Sequence, residues 1–179
     1  MIREQKARMR KIFLKSLCLH AIFLVLHYTY DFFPGLLSSI FSGINESVFQ
    51  HMKIAFFSIM LASGIEILRE KGNPNLHNRV YIHLLSAVFY PWFIFLFFYI
   101  PPVLFGKYTS MLTEIVSANI ILLISSLTAI TFETEFSHFK TTRVFKILSI
   151  ILFSISGFLY TYYTFNTPWF DVFAVPPGW

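Results

Sequence analysis

The sequence predicts an all-α membrane protein, a polytopic bundle of five transmembrane helices in one membrane domain that covers residues 1–179. The first observation behind this prediction is composition: 56% of the residues are hydrophobic and only 13% are charged, against about 25% charged in soluble domains. The second is the presence of five apolar segments of spanning length, and the third is a one-sided distribution of lysine and arginine. Together they exclude soluble and disordered folds, and the single cysteine, Cys18, excludes a disulfide scaffold.

Each predicted span offers about 20 mostly apolar residues, enough to cross ~30 Å of hydrocarbon at ~1.5 Å per residue. The spans are predicted at about residues 12–33, 45–68, 80–100, 110–132 and 144–165. Pro34-Gly35 is expected to end the first span and Pro101-Pro102 the third, because proline interrupts helical hydrogen bonding.

The second span is the unusual one, because only 15 consecutive residues, 54–68, form its apolar part. It reaches spanning length only if its helix begins at Asn45-Glu46-Ser47, with Asn45 as the N-cap and Glu46 in the first turn, where an acid suits the helix dipole. We therefore expect residues 45–53 to be helical and buried against the bundle.

Lysine and arginine predict the orientation, because the cytoplasmic segments of membrane proteins are enriched in both. With the N-terminus inside, 12 of the 14 basic residues fall on the inner side, and only Lys53 and Lys107 fall on the outer side. The same asymmetry explains the net charge of +5 without a nucleic-acid partner. We expect a multi-pass protein of the cell membrane with its N-terminus inside and its C-terminus outside.

Polar and ionisable residues collect in the predicted outer half of the bundle. Such residues are costly inside a membrane and therefore indicate a functional site by default. They come from the end of the first span, the start of the second and the start of the fourth. The candidates for a ligand or proton site are His27, Asp31, Asn45, Glu46, Gln50, His51 and Glu114.

Histidine and carboxylate side chains from several helices are also the ligands that a divalent metal needs. The candidate metal ligands are His27, Glu46, His51 and Glu114, and in a shared centre their side chains should lie within about 10 Å of one point. Helical geometry opposes the simplest version, because Glu46 and His51 on one ideal helix point about 140° apart. Only freedom of Glu46 at the helix end would bring both to one ion. On the first span, His27 and Asp31 form a polar stripe with His20 that should face the bundle interior.

Residues 43–57, GINESVFQHMKIAFF, carry a family resemblance. The stretch resembles the signature of a family of small multi-pass membrane proteins known only as an uncharacterised domain of unknown function, whose motif has the form NESVWEHLK. His27-Tyr28 in the preceding span and the tail TFNTPWFD at residues 164–171 are similar to that pattern as well. The chain departs from the motif with Phe49 for Trp and Gln50 for Glu. The resemblance implies the membrane fold and brings no known activity.

Three functions remain open from the sequence. The first is a membrane enzyme or binding protein whose site opens to the outer leaflet and takes a metal, a small molecule or a lipid. The second is a small proton-coupled carrier, although carriers commonly use inverted repeats and a site near the midplane. The third is a structural or accessory membrane subunit whose polar groups join the helices. The lipid bilayer is the expected partner in each case, and a homo-oligomer is compatible with all three.

Overall fold

The computed structural model describes residues 2–106 and 110–175, and these residues form a helical bundle. Its helices are α1 (Ile2–Phe32), α2 (Leu36–Phe41), α3 (Val48–Arg69), α4 (Leu76–Phe105), α5 (Met111–Phe136) and α6 (Arg143–Phe165), followed by a 3-10 turn at Asp171–Phe173. All of these helices except the six-residue α2 are long and apolar enough to cross a membrane. The predicted fold class, all-α with five spanning helices, is therefore confirmed.

Short polar side chains fix where several helices begin. The hydroxyl oxygens of Ser47, Ser110 and Thr142 each accept a hydrogen bond from the backbone N–H three residues further on, at the starts of α3, α5 and α6. Caps of this kind satisfy N–H groups that have no partner within the helix. The prediction that Asn45 caps α3 is wrong: its side-chain oxygen accepts a hydrogen bond from the Ser47 N–H at 3.0 Å, in a turn before the helix.

The third span extends further than predicted. Pro101 and Pro102 were expected to end it, but α4 continues to Phe105 and ends where Gly106 adopts a φ of 80°. A proline is disfavoured inside a helix because it lacks the N–H donor and its ring crowds the carbonyl four residues earlier. In α4 the two prolines lie close to the C-terminus, and the helix continues for three residues beyond Pro102. The Gly106 N–H donates to the Pro102 carbonyl at 3.0 Å and closes the helix.

α3 lies in the interior of the bundle and contacts α1, α4 and α6. Half of its most apolar stretch is buried, and Ile54, Ala55 and Ile59 are fully inaccessible. In contrast, α6 presents most of its apolar side chains outward, as expected for a helix that faces lipid. The expectation that residues 45–53 are helical is confirmed for residues 48–53 and is wrong for residues 45–47, which precede the helix. The expectation that they are buried is confirmed except for Asn45, Glu46 and His51, which are half-buried.

Lys53, which the charge count assigned to the outer side of the membrane, lies inside the bundle, as expected for residues 45–53. Its side chain is fully buried, and Nζ donates to the Ser39 carbonyl at 2.6 Å and to Thr164 Oγ1 at 3.0 Å. The ammonium group therefore links α3 to α2 and α6. Lys107, the other basic residue expected on the outer side, lies outside the described residues.

Candidate functional site

His27, Glu46 and His51 meet at one end of the bundle. Nε2 of His27 lies 3.5 Å from Oε1 of Glu46, and Nε2 of His51 lies 3.5 Å from Oε2 of the same carboxylate. Each of the three residues offers one potential ligand atom, and these atoms all lie within 4.8 Å of one another. The centroids of the two imidazole rings are 5.1 Å apart. Three segments that are separate in the sequence or in the fold thus supply one cluster, which we call the His–Glu–His cluster.

The start of α3 explains why Glu46 and His51 meet. Because the helix begins at Val48, Glu46 lies in the preceding turn. The 100° step between helical residues, which predicted that Glu46 and His51 point in different directions, therefore does not apply to Glu46. The turn is held by Asn45, as described above, and by Gln50, whose side-chain oxygen accepts from the Ile44 N–H at 3.4 Å. Asn45 and Gln50 therefore shape the turn that carries Glu46.

The two histidines are held in different ways. Nδ1 of His51 lies 2.9 Å from the Ser47 carbonyl oxygen. A carbonyl can only accept, so Nδ1 donates to the Ser47 carbonyl, and Nε2 is the ring nitrogen that faces Glu46. His27 packs against Phe23 and Tyr28 on α1, and its Nδ1 is buried without a hydrogen-bond partner among the described residues. Both rings thus present Nε2 to the carboxylate.

The His–Glu–His cluster lies at the wall of a cavity of about 300 Å³ between α1, α3, α4 and α5. A volume of this size is at the lower end of the range for small-molecule sites. Most of the lining is apolar, and the polar lining residues are His27, Tyr28, Glu46, His51, Glu114 and Asn119.

The other predicted site residues have different positions. Glu114 lines the cavity from α5, and within residues 2–106 and 110–175 its carboxylate has no hydrogen bond or ion pair. Asp31 is exposed near the end of α1, so the prediction that the whole polar stripe of α1 faces the interior is wrong for this residue. It lies one turn beyond His27, in the last turn of α1. Asn45 and Gln50 act on the turn and do not line the cavity.

A second charged cluster, which the sequence analysis missed, lies toward the opposite end of the bundle. Lys15 of α1 pairs with both Glu66 of α3 and Glu133 of α5. Arg79 of α4 binds Glu66 at 2.8 Å and also pairs with Glu70, and His83 Nδ1 lies 3.1 Å from Glu133. We call these residues the ion-pair network: Lys15, Glu66, Glu70, Arg79, His83 and Glu133.

The ion-pair network already contains its own cations. Glu66, His83 and Glu133 bring potential ligand atoms within 4.8 Å of one another. The position between the two carboxylates, however, is taken by the Lys15 ammonium, and Arg79 holds the far side of Glu66. A buried carboxylate needs a cation or hydrogen-bond donors, and both glutamates have them within the protein. The network is therefore a connection between four helices.

One signal in the sequence could have revealed the ion-pair network. Four residues lie within or next to the inner end of a predicted span, and they combine acidic with basic side chains: Glu66 and Glu133 with Lys15 and His83. The fourth span was predicted to end at residue 132, but α5 continues to Phe136 and includes Glu133, of which only 3% is exposed. Had α5 ended at residue 132, the Glu133 carboxylate would lie at the surface; the extra helical turn places it inside the bundle.

No protein-family model, no curated protein and no solved structure matches this chain. The resemblance of residues 43–57 to the family of multi-pass membrane proteins therefore stays a prediction. The function has to be argued from the chemistry of the His–Glu–His cluster and its cavity.

Proposed function

We propose that this multi-pass membrane protein binds a divalent transition metal, zinc, at His27, Glu46 and His51, in the manner of a membrane enzyme centre with one open position. The observation that carries the proposal is the placement of two imidazole Nε2 atoms at 3.5 Å from the two oxygens of one carboxylate. Neighbouring ligand atoms around a tetrahedral zinc are about 3.3 Å apart, from metal–ligand bonds of about 2.0–2.1 Å. The cluster is thus close to the spacing that the metal requires.

The surroundings of His51 support a ligand role. Histidines that bind a metal commonly donate their second ring N–H to a backbone carbonyl, which fixes the ring and directs the lone pair at the ion. His51 has this arrangement with the Ser47 carbonyl at 2.9 Å. The rigid start of α3, with its Ser47 cap, holds both partners.

The number of ligands supports an open centre. Catalytic zinc sites characteristically have three protein ligands, two histidines and a glutamate among them, and leave a fourth position for water or substrate. The three cluster residues line the cavity, so a fourth ligand would reach the ion from it, and Glu114 of α5 lines the same cavity. A zinc ion would lower the pKa of a bound water, and Glu114 would act as its hydrogen-bond acceptor.

The carrier and the structural subunit have less support. The cluster lies near the end of α1 and the start of α3, whereas transporter sites commonly lie at the midplane. A purely structural cluster would not need the cavity beside it, and the ion-pair network already connects α1, α3, α4 and α5.

Zinc content tests the proposal directly. The protein is purified in detergent, stripped with a chelator, reloaded with zinc, and analysed by elemental mass spectrometry. We expect about one zinc ion per chain, in a four-coordinate site. His51→Ala and Glu46→Gln should each lower zinc affinity by more than the ~10–100-fold that is lost when only an outer hydrogen-bond partner is removed.

His20→Ala is the matched control, since His20 lies two turns from His27 on the same helix and its Nδ1 is also buried without a partner in the part of the chain that the structure describes. Its zinc content should equal that of the wild type. Retention of zinc by His51→Ala would contradict the proposal, and so would an equal loss of zinc from His51→Ala and His20→Ala. Thermal unfolding is measured alongside, because loss of zinc with retained stability separates a ligand from a structural residue.

We also propose that the protein resides in the cell membrane with its N-terminus inside. The support is the charge asymmetry of the sequence, with 12 of the 14 basic residues on the inner side. In a Cys18→Ser background, Thr167→Cys should react with a membrane-impermeant thiol reagent on intact cells, and Lys71→Cys only after permeabilisation. Both positions are exposed and lie outside the spanning helices. Reaction of Lys71→Cys on intact cells would reverse the orientation.

A further inference from the structure

The cavity beside the His–Glu–His cluster has a polar end and an apolar end. On α1, Phe23 lies four residues deeper than His27, which is about 6 Å along the helix. On α5, Leu122 lies eight residues deeper than Glu114, or about 12 Å. The deep part is lined by apolar side chains: Phe23, Ile94, Ile121 and Leu122. The cavity thus has its polar part at the end of the bundle and its apolar part toward the middle, in the same order as the head group and chain of a lipid in the bilayer.

The cavity opens through the side of the bundle. Five of its lining residues are exposed, and all of them belong to α1 or α5: Tyr28, Met111, Ile115, Ala118 and Asn119. In a membrane-spanning bundle the outer surfaces of these helices face the bilayer. A ligand can therefore enter between α1 and α5 from the lipid phase, with its chain already surrounded by apolar groups.

Charge at the polar end selects the head group. A zinc ion and the carboxylates of Glu46 and Glu114 sum to zero, with both histidines neutral, so an ionic head would leave a net charge in an apolar setting. The open metal position needs an oxygen lone pair, and the unpaired Glu114 carboxylate needs a donor. A hydroxyl provides both, since its oxygen binds the metal while its O–H donates to Glu114.

From these observations we infer that the cavity binds a single-chain amphiphile with a neutral hydroxyl head, such as a long-chain alcohol or a monoacylglycerol, taken from the surrounding bilayer. The chain lies along Phe23, Ile94 and Leu122, and the hydroxyl lies between the His–Glu–His cluster and Glu114. The choice of head group rests on the proposed metal site, whereas the path of the chain rests on the cavity alone.

Photolabelling tests the inference on the full-length protein in phosphatidylcholine nanodiscs. Two probes are compared at the same mole fraction: hexadecanol and palmitic acid, each with a diazirine in the middle of the chain. After irradiation, adducts are mapped by mass spectrometry, and zinc is quantified in the same sample. With zinc loaded, we expect hexadecanol adducts at the deep lining residues and far fewer from palmitic acid.

Two substitutions separate the cavity from the general lipid surface. Ala118→Trp fills the opening on α5 and should reduce the deep adducts to the background of lipid-facing positions. Ser154→Trp is its matched control, because Ser154 is exposed on α6, which does not line the cavity. It should label like the wild type. Circular dichroism and zinc content check that both variants are folded.

Glu114→Ala tests the head group. Loss of one hydrogen bond worth about 1 kcal/mol should reduce hexadecanol labelling about fivefold, and the loss of negative charge should raise labelling by palmitic acid. Equal labelling by the two probes in the wild type would overturn the assigned head group. Bound zinc without adducts in the cavity would overturn the inference and leave the proposed metal site intact, whereas absence of zinc from the reloaded protein would overturn the metal site itself.

Discussion

Replacement of Lys15 by methionine is expected to lower the free energy of unfolding by about 3–5 kcal/mol, the usual cost of removing one partner from a buried ion pair. Lys15 pairs with both Glu66 and Glu133, and just 4% of the Glu133 side chain is exposed. Without the ammonium, the two carboxylates repel each other, and Glu133 retains only His83 at 3.1 Å. Unfolding in mixed detergent micelles, followed by circular dichroism, measures the loss.

Arg8→Met provides the control for Lys15→Met. Arg8 pairs with Glu135 between the same two helices, but 44% and 53% of these side chains are exposed. An exposed pair contributes about 0–1 kcal/mol, so this variant should unfold close to the wild type. The double variant Lys15→Met/Glu133→Gln should regain part of the lost stability, because it removes the stranded charge. Similar losses for Lys15→Met and Arg8→Met would show that burial does not control the strength of the network.

The architecture could be predicted from the sequence because the bilayer imposes strong rules on composition. Runs of about 20 apolar residues and proline-glycine breaks are readable without any knowledge of packing. All five spanning helices were predicted, and α5 and α6 begin within one residue of the prediction. Two of the differences have local causes: prolines are tolerated in the last turns of α4, and the short helix α2 has only six residues, too few to produce a periodic signal.

The geometry of the candidate site depended on a single cap. Asn45 and Ser47 are both good N-caps, and the sequence alone does not decide between them. With Asn45 as the cap, Glu46 is helical and points away from His51. With Ser47 as the cap, Glu46 is free to reach both histidines. A shift of two residues thus changes three scattered polar groups into one cluster.

Charges close to helix ends were the least predictable feature. Lys53 and Glu133 both lie within about two turns of an end of their helices, where the sequence permits either a surface or a buried position. The outcome depends on which neighbouring element covers them. For Lys53 that element is α2, which folds over the start of α3 and provides the Ser39 carbonyl.

Lys53 gives the second large expected effect. Lys53→Ala should lower the free energy of unfolding by about 2–5 kcal/mol, as for other long side chains truncated in a core. The change leaves a cavity where the aliphatic stem was, and it also removes the donor of the Ser39 carbonyl. The hydrogen bond between α2 and α3 is then lost together with the link to Thr164 on α6. The measurement is the same detergent unfolding, with Lys71→Ala, an exposed loop lysine, as a control that should stay within about 0.5 kcal/mol.

Lys53→Met separates the packing of Lys53 from its charge. Methionine keeps most of the volume, so the cavity cost disappears. The Ser39 carbonyl loses its donor, which costs about 1–3 kcal/mol, but the protein no longer buries an ammonium group that has no carboxylate partner among the described residues. These terms oppose each other, since replacing buried charge with an apolar group of similar size is often neutral or stabilising. We therefore expect Lys53→Met to unfold within about 1 kcal/mol of the wild type. If Lys53→Met loses as much as Lys53→Ala, the two hydrogen bonds of the ammonium, and not its aliphatic stem, hold α2 against the bundle.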